Sequence, residues 1–117
     1  MAYTKDYPLF AEWFKLTDWI LDKVEKMPVK VRYSLTNRIA NFAIDNIELI
    51  TEAIYSKNKT HFLKKVNMNI EKLRVMFRIC YNRRYISEKQ YRYIAEKLNE
   101  NGKMCGGWIK SLNYENL

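Results

Sequence analysis

Glycine occurs three times and proline twice in 117 residues, so little of the chain is available for turns or linkers. That scarcity excludes an all-β domain, which needs a break every few residues. No apolar run approaches the roughly 18 to 20 residues of a membrane span. Residues 1–6 lack the basic-then-apolar layout of a signal peptide. Cysteine is also scarce: Cys80 and Cys105 make no disulfide framework, and a reducing cytoplasm is the expected location. The single histidine, His61, has no cysteine or carboxylate at ligand spacing and reads as a surface residue. Helix bundles that hold two metals use Glu-x-x-His pairs, and the chain has none. Gly106-Gly107 has no strand–loop–helix context, so it is not a phosphate loop. No catalytic, metal or cofactor site is expected.

Apolar residues make up 48% and charged residues 29%, the balance of a globular chain, and residues 1–117 suit one domain. The apolar positions fall into four blocks with the three-then-four spacing of helices packed along a seam. The first reads Phe10, Trp13, Thr17, Ile20, Val24, Met27, and Pro28 stops it. The second reads Leu35, Ile39, Phe42, Asn46, Leu49, Ala53, widened by Ala40, Ala43, Ile47, Ile50 and Ile54. The third reads Leu63, Val66, Ile70, Leu73, Phe77, Cys80. The fourth reads Tyr91, Ile94, Leu98, Asn101, Cys105, Ile109, Leu112. Helices are therefore expected over about 8–27, 30–55, 59–83 and 88–112. Ser87 and Gln90 stand at capping-box spacing, with Ile86 and Tyr91 placed for a hydrophobic staple. Short links make successive helices antiparallel neighbours, so the expected fold is an all-α, up-down-up-down four-helix bundle. Loose structure is expected only in the first few residues and after Leu112.

The formal net charge of +8 is unevenly placed. Residues 1–27 sum to −1, residues 28–56 to zero and residues 87–117 to +1, whereas residues 57–86 carry nine Lys/Arg against the lone Glu71. An ordinary solvated face mixes signs to gain i,i+4 pairs; this one barely does. Arg74 and Arg78 lie four apart, and Lys64, Lys65, Lys72, Arg83 and Arg84 extend the patch. Such a field repels itself and points to a polyanionic partner, nucleic acid or another acidic surface. Tyr81, Tyr85, Tyr91 and Tyr93 interleave with Arg83, Arg84 and Arg92, a mixture suited to stacking on unpaired bases. By contrast, Asp18, Asp22 and Glu25 share a face of the first helix with Lys15 and Lys26 and read as solvated. Gly102, Gly106 and Gly107 interrupt the fourth block, each costing about 1 kcal/mol in a helix relative to alanine. Either the helix ends near Gly106 or another helix, of this chain or another copy, approaches the Gly102–Gly106 face.

Three segments carry a family resemblance. Glu71-Lys72-Leu73-Arg74-Val75-Met76-Phe77-Arg78 resembles a Leu-Arg-x-x-x-Arg segment, followed by Ile86-Ser87-Glu88-Lys89-Gln90-Tyr91. Gly102-Lys103-Met104-Cys105-Gly106-Gly107-Trp108-Ile109-Lys110-Ser111 completes the order, its Gly-Gly-Trp-x-Lys-Ser ending being the most specific part. On these motifs, with Trp13 and the stretch from Pro28 to Ile39, the chain resembles the accessory variability determinant (Avd) proteins of diversity-generating retroelements. Cys105 departs from the leucine more usual there. The resemblance implies a four-helix bundle assembling as a homopentameric barrel with a basic surface. It implies partners too: the element's reverse transcriptase and its template RNA, in support of mutagenic cDNA synthesis and retrohoming. Arg74 and Arg78 would contribute to that surface, with Lys103 and Lys110 as secondary candidates. The bundle proteins encoded in ribosomal RNA intervening sequences are a more distant likeness. The second helix keeps only Asn46-Ile47 of that family's motif. An oligomeric adaptor for an acidic protein is the other reading the charge leaves open.

Overall fold

The computed structural model describes residues 7–115. Four α-helices account for most of them: α1 (Pro8–Glu25), α2 (Asn37–Tyr55), α3 (Lys59–Asn82) and α4 (Glu88–Glu115). Each helix packs on the next in sequence, and α4 returns against α1. The 28 residues of α4 are about 42 Å long at 1.5 Å per residue. The molecule measures 49 × 21 × 21 Å, so the helices run along its long axis. This is the packing order that an up-down-up-down bundle requires.

Helix α1 starts at Pro8 because proline's missing N–H is one that the first turn leaves unused. It ends at Glu25, two residues short of the expected boundary, since Pro28 (φ −55°, ψ 135°) forces an extended link. The larger departure follows. The second helix, expected from about residue 30, is preceded instead by a 3-10 turn (Val29–Val31) and a wide π turn (Arg32–Thr36). Hydroxyls explain the widening. Ser34 Oγ donates to the Val31 carbonyl (3.3 Å) and Thr36 Oγ1 to the Arg32 carbonyl (3.1 Å), competing for acceptors the α-helical ladder would use. Regular helix begins at Asn37.

The core is nearly the one the seams describe. All six third-block residues are buried, as are Ile94, Leu98, Asn101 and Cys105 of α4. In α1 the stripe rotates slightly, with Leu9 and Leu16 buried and Phe10 and Val24 half-buried. In α2 the centre falls on Ile39, Ala43, Asn46 and Ile50 rather than on Phe42 and Leu49. A few polar groups tie the helices together within this core. The Trp13 indole Nε1 donates to the Ala43 carbonyl (2.9 Å), joining α1 to α2. Asn46 Nδ2 donates to the Val66 carbonyl (3.3 Å) and its Oδ1 accepts from Asn69 (3.0 Å), joining α2 to α3. Cys105 Sγ contacts the Leu63 carbonyl at 3.3 Å, joining α4 to α3. Such directional bonds hold register where apolar contacts alone would let helices slide.

The expected capping box is present: Ser87 N–H donates to Gln90 Oε1 (2.8 Å) and Gln90 N–H to Ser87 Oγ (3.1 Å). Helix α4 runs through all three glycines to Glu115, three residues beyond the expected end. A Cβ on Gly102 would sit 3.5 Å from Arg74 Nη2 and 4.0 Å from Ile70 Cγ2, so the neighbour there is α3 of the same chain. Gly106 and Gly107 face open space. The N-terminal segment expected to be loose, residues 1–6, lies outside the described residues.

Candidate nucleic-acid interface

Helix α3 places its basic residues on three different edges, because 100° per residue spreads them around the exposed arc. Lys64 and Arg78 project from the outer face and make no ion pair among the described residues. Lys65 and Lys72 lie towards α2, where they line a groove with Asp45, Glu48 and Glu52. The Lys72 ammonium also stands 5.2 Å from the Phe42 ring centroid. Those carboxylates offset part of the charge of both lysines.

Arg74 turns the other way, into the α3–α4 groove. Its Nε donates to Glu71 Oε1 (2.9 Å), and its side chain is one-third exposed and rests over Gly102. The lone acid of this region is therefore spent on Arg74, not on Arg78. With Phe77, Tyr91, Ile94, Ala95 and Leu98, Arg74 lines a cleft of about 110 Å³.

Two further unpaired cations stand where α3 gives way to α4. Arg83 caps α3, its N–H bonded to the Ile79 carbonyl (2.9 Å). Arg84 follows with φ 61°, the left-handed conformation usually given to glycine. Its N–H bonds to the Tyr81 carbonyl (3.0 Å), and the Tyr85 N–H to the Cys80 carbonyl (2.8 Å). This is the paired Schellman arrangement that satisfies the last carbonyls of a helix. Both guanidinium side chains are exposed and without an ion pair among the described residues. Lys103 and Lys110, seven apart, are exposed on the same side of α4, while Arg92 is engaged by Glu88 (2.7 Å).

The structure divides the four tyrosines that the sequence groups together. Tyr81 and Tyr91 stack across the α3–α4 junction, centroids 4.7 Å apart and planes within 5°. Tyr85 is half-buried. Tyr93 faces α1 and meets Trp19 at 4.9 Å, with Lys23 and Lys97 over the two rings. Off the seam, α3 also carries an exposed apolar strip of Met68, Val75 and Ile79 within its basic face, which the seam pattern does not reveal. Its signal was three apolar residues at i, i+7 and i+11, off the seam.

Asp18, Asp22 and Glu25 of α1 are exposed, and Asp22 is paired locally. Lys23 and Lys26, at 3.2 and 3.3 Å, hold the Asp22 carboxyl below its ordinary value. Burial pushes the Cys80 thiol up to about 11 and the Cys105 thiol to about 12, so both are neutral, inert members of the core. His61 is exposed, edge-on to Phe62. Among the described residues no group of three or more His, Cys, Asp or Glu could hold a metal ion, and no helix is long and apolar enough to cross a membrane. What the surface offers is fixed positive charge beside aromatic faces.

No curated protein matches the chain. A family model described as bAvd-like matches residues 11–112, which takes in all four helices, the capping box and the Gly-Gly-Trp-x-Lys-Ser ending. With that match over most of its length, the chain belongs to the bAvd-like family.

Proposed function

We propose that this chain is a non-catalytic accessory protein of a diversity-generating retroelement, binding the element's reverse transcriptase and its template RNA and so supporting mutagenic cDNA synthesis and retrohoming. The carrying observation is the excess of positive charge in residues 57–86, exposed without ion pairs among the described residues at Lys64, Arg78, Arg83 and Arg84. A field of that kind attracts phosphate and releases counterions when phosphate binds. Lys103 and Lys110 extend it along α4, and Lys65 contributes from the α2 edge, weakened by its acidic neighbours. Arg74 serves chiefly to shape the α3–α4 groove, because Glu71 already engages it. Self-association into a homo-oligomer, a pentamer by family resemblance, would repeat the basic face around a ring and multiply weak phosphate contacts.

The test uses Arg78→Glu with Arg83→Glu, both exposed, in preference to a change at Arg74. Glutamate at 74 would set a second carboxylate beside Glu71 and disturb the packing on Gly102. The double variant should keep its helical content and lose at least roughly tenfold in affinity for the template RNA. The wild type should bind less tightly as salt rises and should co-purify with the polymerase. Unchanged RNA affinity in the double variant would overturn the assignment of this face.

A further inference from the structure

We propose that the α3–α4 junction is a single-strand site in which an unpaired base stacks on Tyr81 while Arg78 and Arg84 hold the flanking phosphates. This rests on the nucleic-acid reading and adds to it the strand state and the residue that recognises it. Four observations converge. Tyr91 is half-buried beside the cleft under Arg74, and Tyr81 lies parallel on it, 36% exposed, as the outer ring of a two-ring stack. A ring already backed by another ring is a rigid platform that loses little freedom when a base lands on it. Arg78 stands one turn before Tyr81 on the same helix, exposed and without an ion pair among the described residues. Arg84 is fixed relative to the platform by its own backbone, since its N–H bonds to the Tyr81 carbonyl.

The fourth observation is the conformation of Arg84. Glycine relieves strain at a left-handed cap, yet this chain carries a long cation there, at φ 61°. Strain of that kind persists where the surrounding structure holds it, and such positions cluster at functional sites. A polyanion meets the requirement, and among polyanions a single strand fits best. A duplex keeps its base faces stacked inside and offers this surface only phosphates, so a tyrosine platform gains nothing from it.

The experiment compares fluorescence anisotropy of the full chain on a labelled oligouridylate of about twelve nucleotides and on an RNA duplex of equal length, across a salt series. The single strand should bind more tightly. Tyr81→Leu, which keeps an apolar side chain but removes the ring, should lower single-strand affinity roughly tenfold. It should leave duplex affinity and both salt slopes unchanged, because no charge is lost. Tyr81→Phe should bind like wild type. Circular dichroism of the leucine variant keeps a folding defect apart from a binding defect. Equal losses on both probes, no loss on the single strand, or preference for the duplex would overturn the platform while leaving a basic RNA-binding face intact. Failure of the wild type to bind either probe at low salt would overturn the platform and the nucleic-acid reading together, leaving an acidic protein as the partner of this face.

Discussion

Arg84 shows how one residue can set stability against use. A left-handed non-glycine conformation costs about 1 kcal/mol, and glycine at the same cap avoids it. Arg84→Gly should therefore raise the melting temperature by roughly 4 °C, read by thermal circular dichroism. The same change should weaken RNA binding, because an unpaired guanidinium leaves the junction. The two cysteines give a second residue-scale expectation. Burial raises their folded-state values to about 11 and 12 from an ordinary 9.0, so folding favours the neutral thiols. Their contribution is whole below 9.0, where both states hold the proton. It is lost progressively as pH rises through the unfolded value towards the folded ones, where only the native state stays protonated. Denaturant titrations above about pH 9 should show stability falling more steeply in wild type than in Cys80→Ala with Cys105→Ala. Parallel slopes would show that the thiols are not the titrating groups.

Among the elements, α4 was the easiest to start and the hardest to end. Its capping box is local chemistry, two side chains and two N–H groups within four residues, so spacing alone reveals it. Its end depends on whether three glycines stop a helix, and propensity is too weak a term to decide that against tertiary packing. The π turn at Arg32–Thr36 was illegible for a related reason: its apolar spacing suits a helix, and only hydroxyl-to-carbonyl bonds reveal the wider turn. Gly106 and Gly107 lie in regular helix with nothing within 4 Å of an added Cβ. In an isolated chain each change to alanine should stabilise by about 0.5–1 kcal/mol, measured by thermal or denaturant unfolding. If the double variant were instead destabilised, or changed its oligomeric state by light scattering, the glycines would be explained by close approach of another copy.

Across the whole molecule, charge is polarised. The acids of α1 are nearly balanced by Lys15, Lys23 and Lys26, and those of α2 by Lys30, Arg32 and Arg38, so the basic excess is left to α3 with its cap. What the sequence by itself determined was the four-helix architecture, the whole α3 seam, the α4 cap and the segment holding the positive charge. All of these are periodic or short-range, and periodicity survives without coordinates. Only the tertiary structure decided which cations are free. Glu71 engages Arg74, α2 carboxylates offset Lys65 and Lys72, and Arg78, Arg83 and Arg84 remain unpaired among the described residues. It also separated Tyr81 and Tyr91, which stack at the junction, from Tyr93, which turns to α1. Pairing and stacking depend on the angle at which one helix meets the next, and a linear pattern carries no record of that angle.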